Sequence, residues 1–132
     1  MKLTFTAHGH PVPQPRSRSS RYGRPYVPNN HPVHDWKTIV QFAFLEDLAD
    51  GAKLRDHLLP FFGGPLSMKL TFRGAHWAAD ADNLAKAVLD ALQGLAYAND
   101  RQVTHLEIIR ERAQKADEGV LVEIEELCQS QS

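Results

Sequence analysis

Cysteine occurs once, at Cys128, so the chain can close no internal disulfide and build no cysteine-rich zinc cluster. That usage suits a cytoplasmic protein. Apolar runs are short, and none approaches the roughly 18 residues that a membrane span requires. No membrane partner is expected. The start, MKLTFTAHGH, carries one lysine and then alternates, which is not the form of a secretory signal. There is no G-x-x-x-x-G-K-[ST] stretch, so no nucleotide cofactor is expected. Charge of one sign is lacking too, since the formal net charge is −1. A polyanion would have to be met by a local patch, because the field at the contact surface is what matters.

Such a patch is present. Arg16, Arg18, Arg21, Arg24 and Lys37 fall early and are opposed there only by Asp35. Residues 9–34 form a stretch rich in proline, glycine, serine and arginine, which forbids a long regular element. A loop of that length in a small domain is commonly functional or disordered. Its arginines suit phosphate tracking better than base reading, and the plain alternative is an arginine-rich loop with no partner. Seven histidines carry no zinc-finger spacing, so loop or surface positions are expected for most of them, with His76 and His105 at most supporting a site.

The rest reads as one domain over residues 1–132, long enough to bury a core. Met1, Leu3, Phe5 and Ala7 alternate with polar residues, and so do Leu66, Met68, Leu70 and Phe72, which predicts two half-buried strands. Asp35 is placed to cap a helix with Trp36, Ile39, Val40, Ala43, Phe44 and Leu48 on its apolar stripe, ended by Gly51. Phe42 and Leu45 fall off that stripe. They offer either a dimer surface or further core, and core is the expectation. A second helix begins near Asp82, with Leu84, Ala87, Val88, Ala91, Leu92 and Leu95 on one side, and Gly94 closes it. VTHLEIIRERA and GVLVEIEEL read as two last strands. The expected class is α+β, a mixed sheet with two helices packed on it in the order β-loop-α-β-α-β-β.

The stretch DADNLAKAVLDALQG, residues 80–94, is the chemically loaded one. Capping is its simplest account, because an aspartate at a helix start accepts backbone N–H bonds and meets the positive end of the dipole. Lys86 would then pair with Asp82 or Asp90 across one turn, and Asp100 would hold a turn. One aspartate suffices for a cap, however, and Asp80 and Asp82 are two. If the turn carrying Asp100 folds back toward them, three carboxylates converge. Their mutual repulsion is relieved by a divalent cation. All-oxygen ligands select a hard ion, magnesium or manganese. Such a site beside a basic loop implies phosphoryl chemistry on a nucleic acid, with Lys86 adding charge where the transition state is most negative.

Three pieces, GHPVPQPRSR, DADNLAKAVLDALQG and YANDRQV, together resemble the signature of RusA-type Holliday junction resolvases. In that family a Pro-rich, Arg-bearing loop precedes D-x-D-N-x-x-K-x-x-x-D-A-L and then an acidic or N-D pair before a glutamine. The resemblance implies a magnesium-dependent endonuclease, with manganese a substitute, acting as a homodimer on four-way DNA junctions in recombination and repair. It assigns Asp80, Asp82 and Asp100 as the essential acids and metal ligands, and Lys86 as the catalytic cation. Asp90 is read as structural. DNA contacts map to Arg16 and Arg18 and loosely to Arg21 and Arg24, with Lys37 and Arg73 as further basic contacts. Asn99 stands where the family often has a second aspartate, and AHWAADADN lacks the arginines that some members place before the first acid. Two alternatives follow: a non-catalytic branched-DNA binding protein, or a nuclease acting on other branched DNA.

Overall fold

The computed structural model describes residues 2–15, 18–19, 25–26, 30–50, 59–74 and 79–127. Strand β1 is Lys2–His8, and two short strands, β2 (Arg18–Ser19) and β3 (Pro25–Tyr26), pair antiparallel with each other. Helix α1 (Val33–Asp50), strand β4 (Leu66–Gly74), helix α2 (Ala81–Leu92), strand β5 (Val103–Arg112) and strand β6 (Gly119–Glu126) complete the order. The main sheet runs β1-β6-β4-β5. β6 is antiparallel to both β1 and β4, while β4 and β5 are parallel, so the expected α+β mixed sheet is present.

Alternation in the sequence becomes rows across the sheet. Leu3, Ile124, Met68 and Leu106 lie side by side, and so do Phe5, Val122, Leu70 and Ile108. A third row is Ala7, Val120, Phe72 and Arg110. Both helices cover this face. From α1 it receives Val33, Trp36, Val40, Phe44 and Leu48, and from α2 Leu84, Ala87, Val88, Ala91 and Leu92, all in one buried cluster. Spacing of three and four residues on each helix is what aims these side chains at a single stripe. The opposite sheet face is polar. There Lys69 lies between Glu123 and Glu107 in register and pairs with Glu107 at 3.7 Å.

Two details differ from the sequence reading. α1 begins at Val33, so Asp35 sits inside the first turn instead of capping it. The cap function passes to His31, whose Nδ1 accepts the Val33 N–H at 3.0 Å. Phe42 was expected in the core and is 60% exposed, because it points away from the Trp36–Val40–Phe44 stripe that meets the sheet. Its neighbour Leu45 is partly buried against the core.

Candidate active site

Asp80 occupies the N-cap position of α2 in an extended conformation, and its carbonyl accepts the Leu84 N–H at 3.1 Å. Its carboxylate makes no capping bond. The side chain is exposed, so the place of a cap is filled without the work of one. Asp82, also exposed, lies in the first turn, where its charge suits the helix dipole, and its Oδ1 accepts the Asn83 N–H at 3.0 Å. One turn on, Lys86 is exposed. Among the described residues Asp80, Asp82 and Lys86 form no ion pair. Asp90 pairs instead with Lys37 of α1, at 4.0 Å, tying the two helices together. The four-residue spacing thus leaves two acids and one ammonium outward at the head of α2 and gives the third acid a structural partner.

Two contacts fix where that head sits. Arg110 of β5 donates from Nη2 to the carbonyl of Ala79, immediately before the cap. The Gln14 N–H donates to the Asn83 carbonyl at 2.9 Å, which anchors the start of the Pro/Arg loop beside the acids.

Asp100 opens a short 3-10 turn, Asp100–Gln102, and is exposed. Asn99 caps that turn by accepting the Arg101 N–H at 2.9 Å, and Gln102 completes a capping box. The neutral residue in the family's acidic pair is therefore a structural cap. Gln102 also donates from Nε2 to the carbonyls of Phe62 and Gly64, at 3.1 and 3.0 Å, and its Oε1 accepts the Ala98 N–H at 2.9 Å. Gln102→Ala removes all of these at once. An expected loss of about 2 kcal/mol should appear in thermal melts, with faster amide exchange at Ala98 to Asp100.

The turn lies at the wrong end of the sheet to meet the acid pair. β4 and β5 are parallel, with Leu66 beside Val103 and Gly74 beside Arg112. Asp100 precedes the start of β5, whereas Asp80 follows the end of β4. α2 runs back between them, and from Asp82 to Leu92 its rise alone is roughly 15 Å. Asp100 instead lies near the far end of α2. There it joins Asp90, after burial as the first cause, in raising the pKa of Tyr97 far above the usual phenol value. Tyr97 remains a donor, to the Leu89 carbonyl at 2.6 Å. Among the described residues, no three histidine, cysteine or acidic side chains are grouped closely enough to hold a metal.

Of the basic residues read as DNA contacts, Arg16, Arg21 and Arg24 lie outside the described residues, and Arg18 is described only by its backbone. His76, Trp77 and Cys128 also lie outside. Lys37 and Arg73 each face a carboxylate, Arg73 through Nε to Glu111 at 3.2 Å. His105 lies near the start of β5, beside Ser67, at the end remote from the acid pair. Sequence reasoning missed two positioning residues. For Gln102 the signal was present as the N-x-x-Q spacing of a capping box. For Arg110 it was an arginine interrupting an apolar alternation.

A family model described as endodeoxyribonuclease RusA matches residues 8–125, most of the chain. The chain belongs to this family of endodeoxyribonucleases, enzymes that hydrolyse phosphodiester bonds within DNA strands. No curated protein matches it.

Proposed function

We propose that the protein is a homodimeric Holliday junction resolvase, in which Asp80, Asp82 and Asp100 are the essential acids and Lys86 the catalytic cation. The observation that carries this reading is the head of α2, where two exposed carboxylates stand without a cation partner among the described residues. Asp80 sits at the N-cap without a capping bond, so beyond its favourable place at the helix dipole its carboxylate is left open to a ligand.

The donor set fits magnesium, or manganese in its place. That ion is commonly held by one or two carboxylates, several waters and substrate phosphates, and the ligands here are oxygen only. Asp80 and Asp82 would hold it. When bound, such an ion lowers the pKa of water and offsets charge on the phosphoryl oxygens. Everything else falls to the chain. Lys86, one turn along the same helix face, brings positive charge to the scissile phosphate. Arg16, Arg18, Arg21 and Arg24 track the neighbouring phosphates, from a loop whose start is fastened to α2 through Gln14. With Lys37 and Arg73 facing acids, they are left as weaker DNA contacts. The products would carry 5′-phosphate and 3′-hydroxyl ends.

A second reading, a branched-DNA binding protein without activity, is favoured by one observation: no third acid joins the pair among the described residues. A magnesium titration over a synthetic four-way junction, a flap and plain duplex separates the readings. Resolution of the junction that requires the dication and spares duplex is the expected result. Retained binding with no cleavage at any magnesium or manganese concentration would favour the second reading, and preference for the flap would redefine the substrate.

A further inference from the structure

Resting on that reading, we infer that Arg112 is a DNA-binding residue: at the end of β5 its guanidinium holds a phosphate beside the scissile one. Positive charge is scarce where the chemistry needs it. GAHWAAD, residues 74–80, leads into the acid pair without a lysine or arginine. The other cations of the main sheet are committed. Lys2 faces Glu123, Lys69 faces Glu107 and Arg73 faces Glu111, at 3.7, 3.7 and 3.2 Å. Arg110 gives a donor to the Ala79 carbonyl. Arg112 is exposed and has no carboxylate partner among the described residues.

Strand geometry sets where that guanidinium goes. Successive side chains of a strand point to opposite faces, so Arg112 shares the helix-covered face with Arg110, while Glu111 turns to the open face and meets Arg73 there. Arg110 already reaches Ala79, the residue before Asp80. Arg112 lies roughly 7 Å farther along the strand, at the rim where β5 ends beside Gly74. It therefore stands past the packed core and next to the α2 head, from which Lys86 also rises one turn after Asp82. The Arg-rich loop comes from the other direction. It follows β1, which forms the opposite edge of the sheet from β5, and Gln14 ties it to Asn83. A DNA strand laid over Asp80 and Asp82 is thus met by the loop on one side and by Arg112 on the other. A guanidinium suits that task, since its planar fork of N–H donors matches two phosphate oxygens. Such a contact reads no bases, so it acts on affinity and register and leaves sequence preference alone.

The test measures four-way junction affinity by gel shift in calcium across a range of salt concentrations. It compares wild type, Arg112→Ala, Arg112→Lys and a control, Lys69→Ala, whose charge lies on the open sheet face. Loss of one phosphate contact should weaken binding about tenfold and make the slope of log affinity against log salt shallower by about one. Arg112→Lys should restore the slope and only part of the affinity, because the charge returns without the fork. Lys69→Ala should keep both at wild-type values. In magnesium, Arg112→Ala should raise KM about tenfold with kcat within about twofold of wild type, at an unchanged melting temperature. An Arg112→Ala slope equal to that of wild type, or an equal change in Lys69→Ala, overturns the assignment. So does a lowered melting temperature with an unchanged slope, which would make Arg112 a folding residue. If wild type shows the expected slopes yet cleaves at no magnesium or manganese concentration, the catalytic reading falls and Arg112 stands as a DNA contact.

Discussion

Asp82→Asn should reduce junction cleavage by about 10³-fold or more while leaving junction affinity and melting temperature nearly unchanged. The substitution keeps volume and removes one charge from an exposed first-turn position whose only described hydrogen bond is to its neighbour's N–H. An amide oxygen can accept that bond equally well, so the fold loses little. What it cannot do is balance a dication, and the reaction should feel that alone. Cleavage under single-turnover conditions, set beside a gel-shift titration in calcium, measures the two effects separately. Matching losses of binding and cleavage would recast Asp82 as a DNA-contact or folding residue.

The largest stability effect is expected at Gly119, which lies outside the acid constellation. It opens β6 opposite His8, with φ at +158°, and a Cβ there would collide with the backbone carbonyl oxygen of Ala7. Backbone on the other side of the clash cannot swing away as a side chain would. Gly119→Ala should therefore cost about 3 kcal/mol, or roughly 10 °C in melting temperature for a domain of this size. A control at Gly63, where an added Cβ meets nothing within 4 Å, should change the melting temperature little.

Much of the scaffold was legible because it depends on periodicity. Leu66, Met68, Leu70 and Phe72 alternate and are buried, and α2 buries the stripe that its spacing marks. Period and burial are two views of one geometry. The α1 start was misplaced by three residues, Trp36 expected and Val33 observed, since an imidazole at position 31 competes with Asp35 for the cap and propensity ranks the carboxylate higher. Phe42 shows the opposite limit: a large apolar residue carries no marker for being left outside.

The site was legible in composition and not in arrangement. DADNLAK carried the resemblance to the endodeoxyribonuclease family that the chain belongs to, and the carboxylate of Asp80 is exposed and makes no capping bond. The expectation that Asp100 would fold back to the same place rested on chain proximity. That depends on whether the strand after α2 runs parallel or antiparallel to β4, and nothing in the alternation of β5 records its direction. Parallel pairing carries the turn to the other end of the sheet.

Arg110 has a consequence for how sequences of this fold can diverge. Along the helix-facing side of β5, Leu106 and Ile108 contribute bulk, while Arg110 reaches past the core to grip the carbonyl ahead of the acid pair. One strand therefore serves two masters, packing beneath the helices through Ile108 and the seating of the α2 head through the Arg110 guanidinium. A lineage could swap the first freely among isosteres and lose nothing, whereas replacing the second with lysine would spare the melting curve and slow turnover.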